Sequence, residues 1–233
     1  MSRKGAKRFL RLDNGVVIVY DIYRDLEKRK VWGRNTRSFA VSFLLGGERM
    51  TDMISVLEQN PVIAAIADDK WEQALESPVQ VIFYLSANLL TLQQRVKQAH
   101  AAGKYIMIHL DLAEGIGRDR TGLRFVASCG ADGILTTKGQ LIRFGKEIGL
   151  FTVQRFFAVD SSGADSIGDM FRSTHPDLIE IMPGVVTKVI KQYAQNGIPV
   201  IAGGLIQTKS EVTDALGSGA VAVSIGKPEL WYI

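Results

Sequence analysis

Three stretches place side chains able to do acid–base, ionic or phosphate chemistry at close spacing. Ile108-His109-Leu110-Asp111-Leu112-Ala113-Glu114-Gly115 carries an imidazole and two carboxylates. Thr152-Val153-Gln154-Arg155-Phe156-Phe157 carries a guanidinium, with Asp160 further on, and Ile179-Glu180-Ile181-Met182-Pro183-Gly184 carries a carboxylate between isoleucines. If these are strands, His109 and Asp111 share one face, and Glu180 points opposite to Ile179 and Ile181. Arg155 then has two uses, neutralising Glu180 or Asp111 inside the fold, or binding a phosphate. Glu180 or Asp111 can also serve as a general base, with Lys138 of Thr136-Thr137-Lys138 as an electrophilic or Schiff-base lysine. A surface-loop lysine is the commoner case. His109-x-Asp111-x-x-Glu114 matches no specific metal-ligand pattern, so no metal is expected.

A phosphate signal lies near the end of the chain. Ile198-Pro199-Val200-Ile201-Ala202 reads as a short buried strand running into Gly203-Gly204, and Thr208-Lys209-Ser210-Glu211 reads as a capping box opening a helix. Ala220-Val221-Ala222-Val223-Ser224 is a second strand, followed by Gly226-Lys227-Pro228-Glu229-Leu230 with proline in the first turn of a short helix. Two adjacent strand–glycine–helix units are how a (β/α)8 barrel builds a phosphate site. Backbone N–H groups around Gly203, Gly204 and Gly226, with the Ser224 hydroxyl, are the expected phosphate contacts. His109, Asp111, Arg155 and Glu180 are expected to line the mouth beside the rest of the ligand. The plain alternative is that the glycines only ease a tight turn.

The elements that must position these groups alternate regularly. Strands are read at Val62–Ile66, Val79–Tyr84, Tyr105–Leu110, Asp132–Thr136, Phe151–Phe156, Asp177–Met182, Pro199–Ala202 and Ala220–Ser224. Between them, apolar residues recur at helical spacing, as in Leu89, Leu92, Val96 and Ala99, or Val186, Val189, Ile190 and Tyr193. Gly103, Gly130, Gly149, Gly197 and Gly219 mark helix ends. Strict alternation forces a parallel sheet with helices outside, and eight units favour a small TIM-like barrel of the α/β class. Residues 60–233 number only 174, so the loops must be short and an open sheet stays possible. Short loops leave little material for a substrate lid. A short helix over 51–57 precedes the first of these strands.

Taken together, and in order, the stretches quoted above resemble one family closely, along with Asn60-Pro61-Val62-Ile63-Ala64-Ala65-Ile66, Gly130-Ala131-Asp132-Gly133-Ile134 and Glu229-Leu230-Trp231. They are similar to the glycerol-3-phosphate-responsive transcription antiterminators of bacteria, regulators of glycerol uptake and catabolism operons. The resemblance implies a TIM-like barrel with glycerol 3-phosphate as effector and no cofactor. It implies a cytoplasmic regulator without catalysis that acts on leader mRNA, prevents a terminator and stabilises the transcript. A homo-oligomer is compatible with it. Arg118, Arg120 and Arg124, on the ligand's side of the barrel, are the candidate RNA contacts; no stacking aromatic motif of RNA-recognition folds accompanies them. The alternative from another class is an isomerase, lyase or synthase on a small phosphorylated substrate. A third reading is a structural barrel whose polar residues are internal ion pairs.

Bulk properties narrow the field. Apolar residues make up 46% and charged residues 22%, ordinary for a soluble globular protein. Cys129 is the only cysteine, which rules out an internal disulfide. No run is long and apolar enough to span a membrane, and no signal peptide is evident. The net charge of +4 is unevenly spread, with 12 Lys/Arg against 5 Asp/Glu in residues 1–49 and a net −3 beyond. This basic stretch lacks a consistent period and is expected to be a disordered extension before a barrel domain at 50–233. Within it, Val16–Tyr20 can form a strand and residues 24–30 a charged helix, and residues 39–45 are an apolar run. Codons for Leu45-Gly46-Gly47-Glu48 can spell a purine-rich ribosome-binding sequence just before Met50. Family members usually begin near that position. Translation is therefore expected to start at Met50, with 1–49 as leader read in frame; the rival is a genuine basic arm. The intact mass of the native protein checks this: a mass matching a start at Met50 is expected, and a species starting at Ser2 or Arg3 would overturn it.

Overall fold

The computed structural model describes residues 8–13, 16–21 and 53–233. The chain divides into two units, Met1–Glu48 and Arg49–Ile233. In the first unit β1 (Arg8–Asp13) pairs antiparallel with β2 (Val16–Asp21), Asp13 opposite Val16. The strand read at Val16–Tyr20 lies within β2. The β-branched run of β2 suits a pleated strand. The charged helix at 24–30 and the apolar run at 39–45 fall outside the described residues.

The second unit is a closed barrel of eight parallel strands in sequential order. Helix α1 (53–59) leads through Asn60-Pro61 into β3 (Val62–Ile66). Then come α2 (Trp71–Glu76), β4 (Val81–Tyr84), α3 (Leu92–Ala101) and β5 (Tyr105–His109). Next are α4 (Arg120–Ser128), β6 (Gly133–Thr136), α5 (Gly139–Glu147), β7 (Phe151–Phe157) and α6 (Ser161–Thr174). The barrel ends with β8 (Leu178–Met182), α7 (Thr187–Gln195), β9 (Val200–Gly203), α8 (Lys209–Gly217) and β10 (Ala222–Ile225). A 3-10 turn at Pro228–Leu230 follows. β10 closes the ring by pairing with β3, Ser224 opposite Ile63. All eight strands lie where the alternation placed them, and the open sheet is ruled out.

Local signals set the helix ends. Thr208 Oγ1 accepts from the Glu211 N–H at 3.3 Å while Glu211 Oε2 accepts from the Thr208 N–H at 2.9 Å, closing the capping box. The five glycines read as helix ends all have φ between 70° and 100°, the left-handed region in which a side chain is strained. The stripe from Leu89 needs correction. The helix starts at Leu92, and Leu89 sits in the preceding loop, 41% exposed, its N–H donating to the Glu114 carbonyl at 3.0 Å. That backbone bond holds the loop alongside the one after β5 and keeps Leu89 out of the helix. Among the described residues no helix is long and apolar enough to cross a membrane.

Strand alternation sorts the core into two layers. Outward residues such as Ile82, Ile106, Ile108, Ile179, Ile181 and Val223 pack beneath the helices. Inward residues, including Ile63, Phe83, Met107, Leu135, Val153, Leu178, Ile201 and Ala222, fill the barrel. Met53 and Leu57, one helical turn apart on α1, join this inner layer. Because α1 runs directly into β3, it lies at the N-terminal end of the strands, opposite the mouth. Leu57 is 2% exposed, whereas Ile54, at the edge of the buried stripe, is 40% exposed. Leu57→Ala is expected to cost about 2–5 kcal/mol, and Ile54→Ala a small fraction of that. Urea unfolding of the two variants checks the assignment of α1 to the core.

Candidate functional site

The period of two places the site. Met107, Val153, Leu178, Ile201 and Ala222 all belong to the inner layer. Two residues further toward the strand ends stand His109, Arg155, Glu180, Gly203 and Ser224, on the same inward face. The top tier of this half of the barrel is therefore polar where the tier below is apolar. Arg155 on β7 is the register partner of Glu180 on β8, and Ser224 on β10 is the partner of Gly203 on β9.

These side chains form one connected cluster. Arg155 Nε donates to Glu180 Oε2 at 2.6 Å, and Ser224 Oγ donates to Glu180 Oε1 at 2.5 Å. Arg155 Nη1 lies 2.9 Å from His109 Nε2. Glu180 is 0% exposed, so its charge is viable only with this full set of donors. A Cβ on Gly203 would come within 2.4 Å of Glu180 Oε1 and 2.6 Å of Ser224 Oγ. The position is bare because the carboxylate and hydroxyl occupy that space. The internal ion pair expected of Arg155 is thus present, and its partner is Glu180 rather than Asp111.

His109 keeps a fully buried ring nitrogen without a partner among the described residues. A guanidinium only donates, so Nε2 accepts and the imidazole proton sits on Nδ1. Nδ1 is buried with no hydrogen-bond partner among the described residues. Burial, then the neighbouring Arg155 charge, push the imidazole pKa down to about 4, so it is neutral at pH 7. A buried neutral donor without a partner is a costly feature that a ligand atom can relieve.

The glycine loops close over one side of the cluster. Gly204 follows Gly203 at φ +74° and turns the chain toward α8. The Gly184 N–H, from the loop after β8, donates to the Gly203 and Gly204 carbonyls at 2.5 and 3.0 Å. Two lysines that the motif reading left unassigned hold these loops. Lys70 Nζ, from the loop after β3, donates to the Gly226 carbonyl at 2.6 Å, and Lys227 Nζ donates to the Gln207 carbonyl at 3.1 Å. Asp68 anchors the Lys70 loop by accepting from Tyr84 Oη and from Arg95 Nη2, both at 2.8 Å. Lys227 lay inside a quoted motif and was legible there. Lys70 is 156 residues from its partner, and only barrel closure brings it across.

Other sequence candidates go elsewhere. The hydroxyl of Ser224, expected at the phosphate, is donated to Glu180, because strand register points it inward. Asp111 lies past the end of β5, where its carboxylate takes Thr136 Oγ1 at 2.7 Å, the Thr137 N–H at 2.7 Å and Thr137 Oγ1 at 2.9 Å. Burial pushes its pKa up, but these bonds outweigh that and hold it below the usual carboxylate range. Glu114 Oε2 accepts from Asn88 Nδ2 at 3.1 Å, and Asp160 caps α6 through the Gly163 N–H at 2.8 Å. His109, Asp111 and Glu114 therefore diverge. Gln154 faces outward and accepts from Thr174 Oγ1 at 2.6 Å. Lys138 is exposed at the N-cap of α5, as a surface-loop lysine would be. Arg118 stays in the loop after β5, exposed, with its charge reaching His109. Arg120 and Arg124 lie on α4 with their guanidinium carbons 4.6 and 5.6 Å from the Phe144 ring centre.

The fold and its mouth define the class: a (β/α)8 barrel with a buried, charge-linked polar tier under glycine-bearing loops. Residues 62–231 match the family described as glycerol-3-phosphate responsive antiterminator, and the chain belongs to that family. Over 184 residues it is 36% identical to the uncharacterized protein YgcP of Escherichia coli (strain K12), covering 78% of this chain and 96% of that one. The glycerol uptake operon antiterminator regulatory protein from Listeria monocytogenes is 34% identical, with a TM-score of 0.70 over 73% of this chain and 94% of that structure. A glycerol uptake operon antiterminator-related protein from Thermotoga maritima is 31% identical, with a TM-score of 0.68 over 74% and 98%.

The site sets an acid limit on stability. His109 has a folded pKa near 4 against the ordinary 6.5, so the unfolded chain binds its proton first as pH falls. Stability is lost between pH 6.5 and 4, by up to about 3 kcal/mol. The lowered Asp111 pKa works at lower pH, where its stabilisation disappears as the carboxylate protonates. His109→Gln is expected to flatten the melting temperature against pH between 6.5 and 4 while leaving the steeper fall below 4. Thermal melts across that range measure it.

Proposed function

We propose that this protein is a glycerol-3-phosphate-responsive RNA-binding antiterminator for glycerol uptake and catabolism operons. The observation that carries the reading is the His109–Arg155–Glu180–Ser224 tier with one buried donor left open, beneath glycine loops that two lysines reach. The phosphate binds at the backbone of Gly203, Gly204 and Gly226, where Lys70 and Lys227 supply the compensating charge. The glycerol hydroxyls reach the polar tier, where His109 Nδ1–H finds its acceptor and Arg155 and Glu180 set the orientation. Membership of the glycerol-3-phosphate responsive antiterminator family and the likeness to the Listeria and Thermotoga antiterminator proteins support the choice of ligand and of antitermination. Arg118, Arg120 and Arg124 contact the leader RNA through its phosphates. Ligand favours the RNA-competent state by binding it more tightly than the alternative.

Thermal stability measured during titration with sn-glycerol 3-phosphate tests the site. At 100 times Kd the ligand is expected to add about 2.7 kcal/mol, and glycerol alone to add nothing. Gly204→Asp should abolish the rise, and Lys70→Ala should weaken binding about tenfold, the loss of one charge-assisted contact. A missing rise in well-folded protein would remove the ligand from this reading.

A further inference from the structure

Asp111 has its carboxylate filled by the neighbouring unit of the barrel. The three donors, Thr136 Oγ1, the Thr137 N–H and Thr137 Oγ1, come from the last residue of β6 and the first residue of the connection to α5. The next residue, Lys138, is the N-cap of α5. On its own side Asp111 stands two residues beyond His109 and opens the loop that leads to α4. One side chain thus ties the start of α5 to the end of β5. The helices meet again through Arg120 and Arg124 on the Phe144 ring.

The outer faces of these two helices share a charge. Arg118, Arg120, Arg124, Lys138 and Arg143 are exposed. Among the described residues none of the five is in an ion pair, whereas Arg95, Lys146, Arg155 and Arg172 each have an acidic partner. Arg143 Nη1 reaches only Ser173 Oγ, at 3.5 Å. The guanidinium planes of Arg120 and Arg124 are braced on a ring, which reduces the entropy lost when they take a phosphate. Five exposed cations on and beside the two adjacent helices, none of them in an ion pair among the described residues, fit a polyanionic backbone.

We infer that Asp111 is a positioning residue that passes ligand occupancy at His109 to the setting of α4 against α5, whose exposed Arg118, Arg120, Arg124, Lys138 and Arg143 form the surface for the RNA backbone. This rests on the function proposed above and adds the route between its two sites. A ligand atom that engages His109 Nδ1 displaces the end of β5, and the three Asp111 bonds carry Thr137 and Lys138 with it.

The test uses the full chain and the transcribed leader of the host's glycerol-uptake operon, with RNA affinity measured with and without saturating sn-glycerol 3-phosphate. Wild type should tighten on RNA by about 5- to 150-fold with ligand. Thr137→Val should bind the ligand within about threefold of wild type, a tolerance well inside tenfold per 1.4 kcal/mol, yet lose the tightening. Asp111→Asn should lose the tightening as well, and Thr137→Ser, which keeps the hydroxyl, should retain it. Lys138→Ala with Arg143→Ala should weaken RNA in both states and reduce the salt dependence by about two phosphates' worth. Retention of the wild-type ratio in Thr137→Val overturns the route. Loss of more than about tenfold in ligand affinity in Asp111→Asn, with Thr137→Val unaffected, makes Asp111 a direct contact and also overturns it. Indifference of RNA binding to the Lys138/Arg143 pair overturns the surface. A wild type that binds neither ligand nor RNA sinks the proposed function itself, and it does so before any variant is read.

Discussion

The ion pair between Arg155 and Glu180 is the constraint around which the mouth is arranged. The two face each other across β7 and β8, and Glu180 is entirely buried. A buried carboxylate is a large desolvation cost unless every lone pair finds a donor. Arg155 supplies one donor and Ser224 another, from strands on either side of Glu180. Gly203 must remain without a side chain for the carboxylate to fit. His109 must remain neutral, because a second cation beside Arg155 would break the balance. Five residues on five strands are thus committed by one charge pair. Such a pair adds little net stability compared with apolar packing, and the binding role proposed for this end of the barrel gives it a reason that folding does not.

The barrel assigns its two ends to different work. The lower tiers and α1 form a continuous apolar core. The upper tier exchanges that packing for oriented donors and acceptors. Strands packed beneath a polar tier hold its donors and acceptors in place, which lowers the ordering cost of the ligand binding proposed for this end. Short loops then add cations from the rim, as Lys70 and Lys227 do through carbonyls of the neighbouring loops.

Placement of charge matters here more than its sum. Residues 50–233 carry a net negative charge. Some of the cations are nonetheless gathered locally, with Arg118, Arg120, Arg124, Lys138 and Arg143 exposed on and beside α4 and α5. Total charge would argue against a polyanionic partner, whereas local field can favour one. The Asp111 carboxylate accepts hydrogen bonds from Thr136 and Thr137, beside the start of α5.

Much of the architecture was decided by local pattern. Alternating apolar runs, glycine helix ends and the Thr208–Glu211 capping box depend on neighbours in the chain, and all eight barrel strands could be read from them. The inward face of His109 and Glu180 followed from the period of two. Partnership did not follow. Whether Arg155 would take Glu180 or Asp111 depends on strand register and on where β5 ends, and both are set by packing between distant segments. The same physics sent Ser224 to Glu180, turned Asp111 to the next loop and brought Lys70 across to Gly226. The sequence by itself determined the strands, their faces and the family. Only the tertiary structure decided which polar atoms meet, because ring closure brings together residues that have no local reason to be neighbours.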